Sequence, residues 1–418
     1  MQTLPNGHWL AGLGASRRQL FVVFFLVFNA FTWYYMVLRI MESVSGNSVL
    51  TSTFQVVFHV AAIGSSLAGA VLSVGVRRTY LIYFWMAIGA VSSLMLASAY
   101  SATVGQLSII FVVLGISFGL GMPSCLAYLA DNTSVDNRGR TSALVFLLIN
   151  LSAPLLMILF ASYDVSVNAL ILAAWKGVGF LVLVALRPIE GRSLEPERRV
   201  SFLSVLRDRS FALYLIPWSM FCIVDALETG LLLGFLTSDF YELTLMISPV
   251  IASFSILAGG WLSDRIGRKR VVTYGFVSLG VAYAIIGMAP LVPLAWYVYL
   301  VIDAVAAGIL WITFLMILWG DLSPRGGAEK YYVIGSLPFF VNALVSLPVV
   351  TVAGSLPSTA AFSLASFLLF LAVLPLMYAP ETLPQKKIEL QRIRGYVEQA
   401  KKLAGKYAGK KESDKGKE

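Results

Sequence analysis

Twelve long apolar runs, at roughly 19–42, 50–74, 79–100, 104–130, 141–161, 166–186, 211–234, 244–263, 271–290, 293–318, 331–354 and 357–379, take up most of this 418-residue chain. Crossing the hydrocarbon layer of a bilayer takes about 20 mostly apolar residues in a helix. Lipid offers no partner for backbone N–H and C=O groups, so a spanning segment must satisfy them internally. Runs of this length therefore predict a bundle of membrane-crossing helices. The composition leaves no room for a soluble alternative. The chain is 58% hydrophobic and 13% charged, against about 25% charged in a typical soluble domain. The first run is too long for a signal-peptide core and no small-residue cleavage site follows it, so it is expected to remain as a spanning helix. The two cysteines, Cys125 and Cys222, lie inside apolar runs, which fits neither a disulfide framework nor a metal-binding spacing.

The charges fall where orientation is set. Of 31 Lys and Arg residues, 29 lie before the first run, after the even-numbered runs, or in the tail; the connections after odd-numbered runs hold none. Basic loops stay on the cytoplasmic side of a membrane. Both termini are thus predicted to be cytoplasmic, with the protein multi-pass in the cell (plasma) membrane. The same distribution accounts for the net charge of +9 without a nucleic-acid partner. The longest internal connection, 187–210, divides an N-terminal group of six runs (1–186) from a C-terminal group of six (211–380). Residues 381–418 form a basic tail. Its first part reads as an amphipathic helix, lying on anionic lipid or solvated, and its end as disordered.

The two groups echo each other. "GAVLSVGVRR" (Gly69–Arg78) follows the second run and "GWLSDRIGRK" (Gly260–Lys269) the eighth. Aligned without a gap, Gly69 matches Gly260, Arg77 matches Arg268, Arg78 matches Lys269, and Ser73 stands where the second copy has Asp264. After runs four and ten, Asp131 and Asp321 occupy equivalent places, each followed by basic residues. Internal repeats of this kind are typical of secondary transporters.

Gly260–Lys269 resembles the loop signature G-x-x-x-D-R-x-G-R-K of the major facilitator superfamily. Gly115, Gly119, Tyr128, Asp131 and Arg138 resemble the second sugar-porter signature, with Asp131 in place of Glu. Asp321 with Pro324, and "PETLP" at Pro380–Pro384, resemble motifs closing the tenth and last spans. The resemblance implies an all-α integral membrane fold of 12 transmembrane helices in two six-helix pseudo-symmetric bundles. It also implies a cytoplasmic latch. Asp264 would sit at a helix N-terminus of the opposite half, where the helix dipole favours an anion. Arg265 and Arg268 would pair with helix-end acids, Asp321 foremost, around the turn at Gly267. In the first half, Arg77 or Arg78 would meet Asp131, with Arg138 close by. The simpler reading of the loop is topological, its positive charge doing no more than fixing orientation.

Ionisable residues within spans are costly and therefore functional candidates. Asp225 and Glu228 lie mid-span in the seventh run, three apart and so on one helix face, and Asp303 lies mid-span in the tenth. By resemblance the first, fourth, seventh and tenth spans line a central cavity, so these acids would face it, and Asp303 with one of Asp225 or Glu228 would carry the coupling proton; the alternative is a static ion pair or hydrogen bond that fixes packing. Lys176, in the sixth run, would reach inward to a carboxylate or an anionic substrate. Arg39 and Glu42 form either an interfacial ion pair or an outer gate. His59 is a hydrogen-bonded structural residue or a relay. Asn29, Asn150 and Asn342 are neutral cavity candidates or interhelical glue.

No phosphate-cradling loop, metal spacing or catalytic constellation is present in the sequence, so neither an enzyme nor a cofactor is expected. The expectation is a monomeric secondary transporter that moves a small organic solute (a sugar, organic acid or related metabolite) through the lipid bilayer by alternating access, as a proton symporter. The alternatives are efflux by proton antiport, disfavoured by the lack of a Gly-rich antiporter pattern around Ala153–Pro154, and a non-transporting receptor on the same fold.

Overall fold

The computed structural model describes residues 17–45, 48–75, 77–188, 200–235, 238–324, 326–353 and 358–384, with 389 and 393. Most of the basic tail and residues 189–199 of the 187–210 linker lie outside these residues. The described chain is helical, without a strand: α1 (Arg17–Ser45), α2 (Ser48–Gly75), α3 (Arg78–Leu94, continuing as a 3-10 turn to Ser101), α4 (Val104–Asp131), α5 (Arg138–Ala161), α6 (Val165–Leu186), a short α7 (Phe202–Leu206), α8 (Arg209–Phe235), α9 (Ser238–Ile266), α10 (Arg268–Met288), α11 (Pro293–Ile312), α12 (Leu318–Leu322), α13 (Ala328–Ala353), α14 (Ser358–Leu371) and α15 (Val373–Tyr378). Among the described residues, eleven helices are long and apolar enough to cross a membrane. The remaining expected run, 331–354, coincides with α13. The chain is a multi-pass membrane protein.

Local chemistry sets the helix ends. A capping box opens α4, with Thr103 and Gln106 reciprocally bonded, and Asp164 caps α6 by accepting from the Val167 N–H at 2.8 Å. Such caps satisfy the orphan donors of a first turn. α7 was not legible from the sequence; its own capping box, Ser201 with Ser204, forms it within the linker.

Large apolar side chains such as Leu155, Leu181, Met288 and Phe367 face outward, as a lipid-solvated surface requires, while the interior is aromatic and tightly packed. α2 packs along α4, α3 against α6, α8 against α13 and α10 against α14. The first six helices meet the later ones chiefly through α5 on α9 and α2 on α13. Between α11 and α12 the chain makes a π-helical turn, Thr313–Ile317. Wider turns leave the helical ladder imperfect, and here the Tyr332 hydroxyl donates to the Met316 carbonyl at 2.7 Å. This turn makes α11 and α12 one rod, with Asp303 at one level and Asp321 at the other.

Candidate functional site

Two sites occupy different levels of the bundle. One is a cavity of about 360 Å³ between the halves, walled by α1, α5, α8, α9, α11, the π turn and α13. Asp225 and Glu228 from α8 and Asp303 from α11 reach it together. α4, expected to line the cavity with α1, α8 and α11, contributes no lining residue; α5, α9 and α13 do so instead. The Asn342 amide donates to Asp225 Oδ2 at 2.6 Å, and the Tyr299 hydroxyl donates to Glu228 Oε1 at 2.5 Å. Tyr299 lies one turn before Asp303 on α11, which places its hydroxyl beside the α8 acids. The opposing wall is aromatic: Tyr34 from α1 lies 6.1 Å from Phe339 of α13, whose ring meets Trp311 edge-on at 5.5 Å.

Several expected cavity residues lie elsewhere. Lys176 is 1% exposed within the first six helices. Its Nζ stands 4.3 Å over the Trp85 ring, 5.0 Å over Trp33 and 3.8 Å from the Met86 sulfur. It neither lines the cavity nor pairs with a carboxylate among the described residues; α6 is peripheral and turns it into an aromatic box. Asn29 is likewise buried between α1 and α6, donating to the Trp175 carbonyl at 2.9 Å. Asn150 does line the cavity, but its amide donates to Phe146 O of its own helix. His59 lies one layer behind the wall. Its Nδ1 donates to Gln55 O at 2.7 Å, which leaves Nε2 to accept from the Tyr34 hydroxyl at 3.0 Å. Arg39 and Glu42 form a half-exposed ion pair at 2.6 Å near the end of α1.

The second site gathers the charged loops where the halves meet. Asp264, 4% exposed, accepts from the backbone N–H groups of Gly139 at 2.9 Å and Arg140 at 2.8 Å. These are orphan donors of the first turn of α5, where the dipole favours a carboxylate. A Cβ on either Gly139 or Gly260 would overlap the other helix, so only glycine lets the carboxylate come this close. Arg268, fully buried, pairs with Asp321 at 2.9 Å and Asp264 at 2.9 Å and donates to the Val135 carbonyl of the other half. Arg138 pairs with Asp321 across the same boundary. Arg78 joins Asp131 of its own half to Glu329 of the other, each at 2.5 Å.

The structure shifts the repeat alignment by one. α3 begins at Arg78 and α10 at Arg268, and each arginine pairs with the acid at the end of the following span of its half, Asp131 or Asp321. Arg78, not Arg77, therefore corresponds to Arg268; the first loop is one residue longer. Arg77 is exposed. Ser73, in the place of Asp264, donates to Ala70 O of its own helix. Arg265 was expected to pair with an acid; instead its guanidinium lies 4.5 Å over the Trp261 ring. Gly267 holds φ +105°, and the carboxylate of Glu381 fills the space where a side chain would be, accepting from the N–H groups of Arg268 at 2.7 Å and Lys269 at 3.2 Å. Glu329 and Glu381 were not singled out in sequence. The only signals were an acid in the first turn of a helix and an acid inside "PETLP".

The family model of the Major Facilitator Superfamily matches residues 20–318. The chain belongs to the Major Facilitator Superfamily. Its members are generally non-enzymatic membrane carriers. Among solved structures, the chain resembles the E. coli fucose:proton symporter with a TM-score of 0.68 and 12% identity, over 87% of this chain and 98% of that one. It resembles a bacterial homologue of the iron transporter ferroportin in its outward-facing state with a TM-score of 0.67 and 15% identity, over 86% and 98%. It resembles the human organic anion transporter TETRAN with a TM-score of 0.64 and 16% identity, over 86% and 99%. At these identities the likeness establishes the superfamily fold. Among curated proteins, none matches the chain by sequence.

Proposed function

We propose that this superfamily member is a proton-coupled secondary transporter for a small organic solute. Two six-helix bundles, 1–186 and 211–380, rock about the cavity, with the loop face and both termini in the cytoplasm of a cell membrane. The observation that carries the reading is the separation of two sites on one rod: Asp303 in the cavity and Asp321 in the cross-half network, joined through the π turn of the tenth span. Occupancy of the cavity acids alters the charge at one end of that rod. The ion pairs at the other end hold the loop face shut and must part, and be rehydrated, for it to open. The network formed by Asp264, Arg268, Asp321, Arg138, Arg78 and Glu329 is thus the latch of an alternating-access cycle. Asp225, Glu228 and Asp303 are the groups that load and release the proton, and the protein works as a monomer.

The test is proton flux in proteoliposomes of the full chain, read with an internal pH dye. A solute that stabilises the purified protein against heat, as a ligand selective for the folded state does, is added under an imposed pH gradient. Wild type is expected to couple solute and proton movement. Asp303→Asn is expected to abolish gradient-driven accumulation while leaving solute exchange. Unchanged accumulation in that variant removes Asp303 from the coupling site. The sign of the flux separates symport from the second reading, antiport, which is favoured by one observation: every ionisable side chain at the cavity other than tyrosine is an acid.

A further inference from the structure

We infer that the cavity takes an organic cation, an ammonium on an apolar or aromatic body, and that this cation competes with protons for Asp303. The inference rests on the transport reading above, in its antiport form since proton and cation displace each other at one carboxylate, and names the substrate class of the same site.

The wall carries three carboxylates and no Lys, Arg or His. The described in-span bases are absent from it: Lys176 lies in its aromatic box and Arg39 in a pair with Glu42. An organic anion would enter a field of its own sign in a low dielectric, where like charges cost most. A neutral polyol fares little better. Sites that select hydroxyl-bearing ligands use a few placed polar groups, and two of those on this wall spend their donors on their own helices: Asn150 donates to Phe146 O at 2.9 Å and Thr244 to Phe240 O at 2.9 Å, which leaves mainly Ser248 and Tyr35 beside the carboxylates. Aromatic faces make up much of the remaining surface, and they attract cations, more strongly when water is excluded.

The three acids are not equivalent. Asp225 holds the Asn342 amide and Glu228 the Tyr299 hydroxyl. No described side chain donates a hydrogen bond to Asp303, which leaves its carboxylate for a ligand or a proton. Among the described residues, no three His, Cys, Asp or Glu side chains are grouped closely enough to hold a metal ion, so the fit is to one diffuse positive charge. A volume of about 360 Å³ suits a drug-sized cation.

The other titratable groups near Asp303 are Asp225 and Glu228, with Cys222 behind them, on α8; Tyr299 on α11; Tyr283 on α10; Tyr34 and Tyr35 on α1; and His59 of α2 behind Tyr34. α5, α9 and α13 bring only neutral side chains to the cavity wall. A proton on Asp303 removes the charge that a cation would meet. Cation affinity is therefore full above the pH at which Asp303 takes its proton and is lost as pH falls below it.

The experiment is a binding titration of the purified full chain with benzyltrimethylammonium, its neutral carbon isostere neopentylbenzene, benzoate and D-fucose, at pH values on either side of that transition. The expected result is binding of the cation alone, weakening by about tenfold per pH unit as pH falls, as competition with a single proton requires. Asp303→Asn should lower cation affinity by about tenfold or more, the loss of one charge-assisted contact, and flatten its pH dependence; Asp303→Glu should restore both. Equal binding of the isostere overturns the inference in wild-type protein, whatever the variants do. Fucose or benzoate binding that tightens as pH falls also overturns it, but leaves proton coupling intact. If no probe binds and proteoliposomes show no solute-linked proton flux, this inference and the transport reading fall together.

Discussion

Asp264→Ala offers the most direct test of the latch. In the closed state the carboxylate accepts from Gly139 and Arg140 of the opposite half at 2.9 and 2.8 Å. Its contact with Arg268, one turn along its own chain, does not cross the boundary. The two backbone bonds are lost when the halves part at this face, along with a longer contact from the part-exposed Arg140 Nε at 3.3 Å, which adds little. Hydrogen bonds to charged groups are worth about 1.5–3 kcal/mol each. In the open state water reaches both the carboxylate and the α5 donors, so the difference between states is near the lower end for the pair, about 3 kcal/mol, or roughly 150-fold in the closed-to-open ratio. Alanine leaves those N–H groups without acceptors when closed, which pushes in the same direction. Asp264→Asn keeps an acceptor oxygen and should shift the ratio by about 1 kcal/mol. Electron–electron distance measurements between nitroxides at Arg77→Cys and Tyr378→Cys read the change, since both positions are exposed, one in each half. Cys125 and Cys222 are buried and do not compete for label. A longer distance should gain population in Asp264→Ala and less in Asp264→Asn. An unchanged distribution in both would refute the latch.

Gly267→Ala should lower the melting temperature of the purified protein. The φ of +105° costs a side chain about 1–3 kcal/mol, and the added methyl displaces the Glu381 carboxylate from the first turn of α10; an unchanged melting temperature would mean that this cap contributes nothing. Lys176→Met should leave cavity ligand affinity within about twofold, as for a change remote from the site, and should not lower thermal stability. The amine gives up a cation–π contact worth up to about 2 kcal/mol together with the several kcal/mol that burying a charge costs. Loss of ligand binding would return Lys176 to the cavity.

The helices were legible because lipid leaves the backbone one economical solution, and that solution writes itself as apolar runs. Expected runs and observed helices agree to within a few residues at most ends, diverging mainly where capped or charged turns continue past the hydrocarbon, as at the start of α9 and the end of α12. The charged loop was legible as well. Asp264, Gly267 and Arg268 stand at fixed spacing in a chain that has few charges, and a charge kept there must meet something.

What the sequence could not supply were the acids that complete the charged network. Glu329 and Glu381 look like ordinary helix-end acids until the fold brings them to Arg78 and to the start of α10. A one-residue difference in loop length was enough to hide that Arg78 does the work of Arg268. Lys176 and Asp303 read alike in sequence, as lone charges in apolar runs. Only the rotation and place of each helix sent the first into an aromatic box and the second to the cavity wall. The sequence by itself determined which segments cross the membrane and where charge is retained, because both follow from the free energy of placing single groups in lipid. The tertiary structure decided which of those charges meet, because a contact between helices distant in the chain depends on orientations that no local pattern records.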